Sequence, residues 1–410
     1  MILQEMYGGS KSKSLGYKVK KQESGENLLN ENGKAWLNCL VEKITTKMDW
    51  VSEKSKNKVP SKAVNGIHDD KQIDLSRSVE DGLNWWTNGF WGGILWQMYN
   101  ETRSNRYAEI ARYSEKALDK CLIDYYGLHH DVGFMWMPTA VADYRLTGDQ
   151  DARRRGLIAA NFLAGRFNPA GKFIRAWNDM EGNDTKGWAI IDCMFNLSLL
   201  YWATEETKDP RFKQIAMMHA DTTMESFIRP DGSANHIVEF DPYIGGVVRT
   251  YGGQGYENGS SWARGQSWAL YGFTISYLHT GKIEYLNTAK SAAHYFIANI
   301  PESGIIPVDF RQPKEPAWED SIAAAIAAGG LIEIAKQVGQ YEKGLYLNAA
   351  VKLLKTLDEK RADWTDGCDC IIRNGSGSYH SSLHHEAFIY ADYFFIEAIF
   401  KLKENSYFLW

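Results

Sequence analysis

An all-α barrel of six helical hairpins, an (α/α)6 barrel, is the fold this 410-residue sequence predicts. Six apolar runs of helical length recur along the chain, most are followed by a short polar turn, and amphipathic helices with one polar face alternate with them. Helices buried on both faces, alternating with helices that show one face to water, are what the inner and outer rings of a closed barrel require. An open helical solenoid has the same local pattern and is the competing architecture.

Residues 1–30 are rich in Lys, Ser, Gly, Glu and Asn and lack periodicity, so they read as a polar N-terminal tail or arm, with 31–410 as one barrel domain. Ala35–Val51 supplies an outer helix, and the polar stretch Glu53–Gly82 reads as a long loop. The inner runs follow as Gly89–Tyr99, Gly133–Leu146, Ala189–Ala203, Gln266–Leu278, Ser321–Val338 and Ala387–Leu402. Turns such as Thr147-Gly148-Asp149 and Thr280-Gly281-Lys282 lead into outer helices that begin near Tyr107, Asp151, Phe212, Tyr285 and Tyr346. Small side chains over Ser321–Gly330 permit close approach on a crowded inner ring.

Composition narrows the function. Hydrophobic residues are 44% and charged residues 24%, which a large core requires. Lys and Arg total 46 against 51 Asp and Glu, so there is no basic surplus and nucleic acid is not an expected partner. The N-terminus has no apolar run of signal-peptide length and no stretch of about 18 apolar residues follows, so the expected address is the cytoplasm, away from membranes. Five cysteines at irregular spacing fit reduced thiols. Cys368-Asp369-Cys370 is too tight for a zinc ribbon, His384-His385-Glu386 reads as a capped, solvated turn, and Gly252, Gly253 and Gly255 lack the setting of a phosphate loop. No metal or cofactor is expected. The 15 Trp, 22 Tyr and 17 Phe fit either a large aromatic core or a surface that stacks on sugar rings.

In such a barrel the N-termini of all inner helices gather at one rim. There stand Trp85-Trp86-Thr87-Asn88, His129-His130-Asp131, Trp188 with Asp192, Ser261-Trp262-Ala263-Arg264, Trp318-Glu319-Asp320 and His384-His385-Glu386. Asn88, Asp131, Ser261 and Asp320 are good N-cap residues and need no other role. Asp192 differs, because it sits in Ile190-Ile191-Asp192-Cys193-Met194-Phe195, where an ionised carboxylate is costly. Burial there raises a carboxyl pKa and lets it keep a proton at neutral pH. Asp131, flanked by His130, is a second acid in a different environment, the arrangement that divides acid and electrostatic roles in sugar chemistry. Connecting loops add Trp177, His236, Arg249 and Gln254.

From Ala35 onward the chain resembles the unsaturated glucuronyl hydrolases of glycoside hydrolase family 88, through WWTNGFWGGILW, HHDVGF, GWAIIDCMFNLSLLYWA, RPDGSANH, GGQGYENGSSWARGQSWALYG and HHEAFIYADYF. The resemblance implies an (α/α)6 barrel and a substrate that is an oligosaccharide ending in a 4,5-unsaturated uronic acid. It implies that Asp192 protonates C4 and then accepts a proton from the water adding at C5, while Asp131 holds ring hydroxyls and assists electrostatically. It further implies that His130 and Asn88 line the pocket and that Trp85, Trp177 and Trp268 stack on or wall the sugar. Arg264 and Gln254 are implied partners of the sugar carboxylate or ring oxygens, with His236 close to the attacked carbon. A monomer or weak homodimer is expected. Relatives that accept sulfated disaccharides carry a hydroxyl-plus-lysine cluster in a C-terminal loop; here Arg373–Ser382 has serines and no lysine. An unsaturated rhamnogalacturonyl hydrolase, a sugar epimerase relying on His236 or His384, and a non-catalytic scaffold are the other readings.

Overall fold

The computed structural model describes residues 29–72, 82–124, 127–179, 182, 184–403 and 408–410, so nearly all of the expected tail lies outside the described residues. Helix α1, Glu31–Lys54, is longer than the apolar pattern implies. Asn30 Oδ1 accepts from the Gly33 N–H at 2.9 Å and starts it one turn early, and Lys54 extends the other end. The polar stretch that follows is not all loop. Strands β1 (Lys62–Val64) and β2 (Ile67–His68) form a hairpin around Asn65-Gly66, both at positive φ, as a two-residue turn demands.

Helices α2 (Gly89–Thr102) and α3 (Asn105–Asp124) make the next hairpin. The second inner run is not one helix. It divides into α4 (Val132–Trp136), a π-helical turn at Met137–Val141 and α5 (Ala142–Thr147), because Pro138 has no N–H to give the preceding turn. Helix α6 (Gln150–Gly165) and the short strands β3 (Phe167–Asn168) and β4 (Phe173–Ile174) follow. The third inner run begins as strand β5, Trp188–Ile190, and its helix α7 runs Cys193–Thr207, so Asp192 sits at the strand-to-helix junction and not within a helix. The β-branched Ile190 and Ile191 favour the extended start. Next come α8 (Pro210–Ser226), β6 (Ile237–Phe240), β7 (Val247–Tyr251), α9 (Ala263–Thr280), α10 (Ile283–Ala298), α11 (Ser321–Gln337) and α12 (Gln340–Lys360). Strand β8 (Ala387–Phe388) pairs with β1 and precedes α13 (Ile389–Lys401).

Arg103, Gly148, Lys208 and Gly281 take left-handed conformations just past α2, α5, α7 and α9, turning each inner helix sharply into its outer partner. The inner ring runs α2, α4–α5, α7, α9, α11 and α13, and α13 packs back on α2. The ring is closed, which excludes the solenoid. Its axis is filled by rings: Phe134 lies 5.0 Å from Trp268, Phe195 5.2 Å from Trp268, and Trp410 4.5 Å from Phe195. Trp410 donates its indole N–H to Glu397 at 2.7 Å, and the buried Lys401 ammonium pairs with Glu333 at 2.9 Å. Cys39, Cys193, Cys368 and Cys370 are free, and no described helix is long and apolar enough to cross a membrane.

Gly133 is where two inner helices come closest beneath the acids: a Cβ there would stand 2.5 Å from Asn196 Oδ1 and 2.7 Å from Asn196 Cα. The expected cost of Gly133→Ala is therefore about 1–3 kcal/mol of overpacking. Chemical denaturation checks it, and an unchanged midpoint and slope would contradict the packing described.

Candidate active site

Asp192 ends the edge of a small sheet and opens an inner helix, so its side chain enters the barrel mouth from a fixed backbone. It does not cap its helix. Its Oδ1 is buried and has no hydrogen-bond partner among the described residues. Burial first, and then the nearby charge of Asp131, push its pKa well above the usual carboxylate range, while Arg264 pulls weakly the other way. The protonated form of Asp192 is therefore favoured over that of an ordinary carboxyl.

Asp131 also declines to cap its helix and instead takes a hydrogen bond from Asn196 Nδ2 at 3.0 Å. Asn196 stands one turn after Asp192, and the same amide nitrogen lies 3.3 Å from the Asp192 carbonyl, so one side chain ties the two acids together. Burial lifts Asp131 to about 7 against the pull of Asn196 and Arg166. Burial thus raises both carboxyls, and the charge of Asp131 adds to the shift of Asp192.

Three histidines surround the pair and all are kept neutral. His130 is buried, with Nε2 3.4 Å from Asp131 and Nδ1 unpartnered among the described residues; burial holds its pKa well below the usual value. His129 Nδ1 lies 3.4 Å from the other Asp131 oxygen, and burial lowers that ring to about 3. His236 accepts the Gln254 backbone N–H on Nδ1 at 3.0 Å, which places its own proton on Nε2, where no described group receives it. Gly253, at φ +58°, permits this approach: a Cβ there would fall 2.0 Å from the imidazole. His129, His130 and Asp131 offer ligand atoms within 4.8 Å of one another, a spacing compatible with a metal ion, although one Asp131 oxygen is already engaged by Asn196.

The remaining sequence candidates divide. Trp85, at the start of the Trp86–Asn88 turn, and Trp177, beside the carbonyl that binds the His130 N–H, are partly exposed at the mouth. Asn88 is buried and donates to the Gly82 and Leu83 carbonyls, leaving its own oxygen unpartnered. Arg264 is not an open fork for a ligand. Its Nε donates to Asp320 at 2.9 Å, and its terminal nitrogens donate to Tyr390 Oη and the Ser376 carbonyl, so a buried acid and a loop have claimed the guanidinium. Gln254 likewise spends its side-chain nitrogen on the Gly377 carbonyl at 2.8 Å. Trp268 is 1% exposed and belongs to the aromatic floor below the acids, not to a wall. Of the expected N-caps only Asp320 caps its helix. His384 is not in a solvated turn but stacks on Trp318 at 4.0 Å and meets Ser376 Oγ at 3.0 Å.

Sequence reasoning missed Asn196, Tyr390 and Trp262. Asn196 was detectable, since a residue four after Asp192 shares its helix face. Trp262 lies 4.3 Å from the His236 ring and beneath Arg264, and Tyr390 lies 4.8 Å from Trp86; neither contact follows from spacing along the chain.

The linkage sign for Asp192 is definite. Its folded pKa lies above the unfolded value of about 3.9, so the folded chain binds the proton more tightly, and stability is full below that value and falls as pH rises toward the folded pKa. Asp192→Asn removes the loss. Its melting temperature is expected to exceed wild type by a few degrees at pH 7 and to match it near pH 4; scanning calorimetry at both pH values decides, and equal values at pH 7 contradict the raised pKa.

No family model matches the chain. It is 36% identical over 326 residues to the unsaturated glucuronyl hydrolase of Bacillus sp. strain GL1, covering 78% of this chain and 86% of that one. It is 33% identical over 337 residues to the unsaturated chondroitin disaccharide hydrolase of Streptococcus pneumoniae, covering 79% and 83%. The solved structure of the Bacillus sp. GL1 hydrolase superposes with a TM-score of 0.81 at 33% identity, over 89% of this chain and 95% of that chain. A closed helical barrel, two neighbouring acids at its mouth, and this extent of identity together place the chain in the unsaturated glucuronyl hydrolase family of glycoside hydrolases.

Proposed function

We propose that this protein removes the 4,5-unsaturated glucuronic acid at the non-reducing end of lyase-generated oligosaccharides by hydrating its C4=C5 double bond. The observation that carries the reading is Asp192: a carboxyl with its Oδ1 buried and unpartnered among the described residues, its pKa pushed well above the usual range by burial and by a second acid beside it. The relatives point to the same class, being named for unsaturated glucuronyl and chondroitin disaccharide hydrolysis.

The double bond is part of an enol ether, so protonation at C4 leaves positive charge shared between C5 and the ring oxygen. Asp192 gives that proton, and the bond from its oxygen to hydrogen becomes the new C4–H bond. Asp131, sharing the pocket, supplies negative charge to the cationic intermediate. Water then adds at C5 and returns a proton to Asp192, which restores the acid. The product is a hemiketal, which opens and expels the next sugar. His236 suits the second step: a pKa of about 3 makes it a poor base, while its Nε2–H is a donor free to hold a water or sugar oxygen in place. The same property disfavours the epimerase reading, which needs a histidine base.

Loss of the conjugated chromophore in the ultraviolet, followed with unsaturated chondroitin, hyaluronan and rhamnogalacturonan disaccharides, tests the reading. Wild type is expected to turn over the glucuronyl substrates, and Asp192→Asn to lose about 10²–10⁴-fold for each of its two roles. A folded Asp192→Asn protein with near-normal activity contradicts the mechanism. The pH profile gives a second test. Activity should fall on the acid side as Asp131 takes up a proton and on the alkaline side as Asp192 loses one. Asn196→Ala removes a donor that holds Asp131 down, so the acid limb of kcat/KM should move to higher pH; a limb that stays or moves lower contradicts the assignment.

A further inference from the structure

The sheet β5-β6-β7 beside the acids has two unlike faces. Ala189 and Val238 point into the main core. The register pairs Trp188 with Glu239 and Glu239 with Arg249, and Ile190 with Ile237 and Ile237 with Tyr251, so all six share the opposite face. On that face Ala176, Ile190 and Ile237 form a small buried floor of their own, covered by Trp177, Trp188 and Tyr251, which remain partly exposed. Trp188 lies 6.1 Å from Trp177 and 5.0 Å from Tyr251, making a continuous row of rings.

The row begins at the catalytic pair. The Ala176 carbonyl accepts the His130 N–H at 3.1 Å, and the Ala176 N–H donates to the Trp188 carbonyl at 2.8 Å. It ends at a charge. Glu239 Oε2 accepts from Arg249 Nε at 2.7 Å and from Tyr251 Oη at 2.5 Å, while the guanidinium stands 5.5 Å from the Tyr251 ring. The Arg249 side chain is 63% exposed and is held through its Nε by Glu239. An exposed pair of this kind adds little to stability. What it does is hold one cation and one ring in a fixed relation at the outer end of the row.

We infer that this face is an outer sugar subsite. Trp188 and Tyr251 stack on sugars beyond the bond to be broken, and Arg249 takes an acidic group, a uronate carboxylate, on that departing part of the oligosaccharide. The inference rests on the hydration reading above. The occupant is the substrate's own continuation, because the row is contiguous with the site that holds its first sugar and its far end presents an exposed guanidinium whose Nε alone is engaged by Glu239.

The test uses the full chain and three unsaturated substrates: a disaccharide, a tetrasaccharide with an internal uronate (the acidic one), and a tetrasaccharide of the same length whose sugars beyond the terminal unsaturated uronate are all neutral (the neutral one). For Arg249→Gln, the ratio of kcat/KM between the acidic and neutral tetrasaccharides should fall about tenfold from its wild-type value, through KM rather than kcat. For Trp188→Leu, both tetrasaccharides should lose relative to the disaccharide. Ratios equal to wild type in both variants, with the disaccharide still hydrated, overturn the subsite alone. Hydration of none of the three by wild type overturns the functional reading and the subsite with it. Arg249→Gln lies at an exposed position, so it decides the question even where Trp188→Leu does not fold.

Discussion

A carboxyl whose pKa is pushed well above the usual range at the N-terminus of a helix works against its surroundings, because that end of a helix favours negative charge and Arg264 stands near. The rest of the site can be read as the means of overcoming both. Asp192 forgoes the capping bond that would stabilise its anion. The aromatic floor excludes water beneath it, and Asp131 supplies a like charge beside it. Arg264 is drawn off by Asp320, which lies within hydrogen-bond distance and is itself fully buried. The histidines, neutral through burial, add no cation that would release the proton.

Closure of the ring is what brings these groups together. Asp131, Asp192, Arg264, Asp320 and Tyr390 come from five inner helices or their first residues, and none is adjacent to the next in sequence. A parallel inner ring delivers their N-terminal ends to one rim, and small residues set how close they come. Gly133 lets Asn196 reach between α4 and α7, and that contact lets one amide serve both acids. Packing and electrostatics are here a single constraint, since any change that separates the two helices also alters the charge shared by the pair.

The barrel was legible because burial on both faces leaves a clear pattern: six long apolar runs alternating with amphipathic helices suit an inner and an outer ring, with closure left for the structure to show. Local breaks in that pattern were not read from it. Pro138 was visible, yet a π-helical turn lets the helix continue past it, while Trp188–Ile190 is as apolar as a helix and is extended only because β6 pairs with it. Asn65-Gly66 was a clear turn signal inside a segment otherwise too polar to suggest strands. In the site, the two acids stood out as charge in apolar context. Arg264 and Trp268 were read by residue type, and type does not reveal that Asp320 takes the guanidinium or that Phe134 and Phe195 enclose the indole.

Aromatic content left open whether the rings build a core or a sugar-binding surface, and the structure holds rings in two settings with a physical distinction between them. Several rings of the core bury their polar handle against a fixed partner, as Trp410 does with Glu397 and Trp96 with Glu115, and others have none to bury, as with Phe134, Phe195 and Phe394. Rings at the mouth rest on a thin apolar floor and keep a face open: Trp177, Trp188 and Tyr251. Folding needs the first set. Nothing in the packing needs the second set to be so large, since Ile190, Ile237 and Ala176 would be covered by smaller side chains at less cost in exposed apolar surface. The excess area stands beside the two acids, which is where a flat, weakly hydrated surface is of use to a sugar ring.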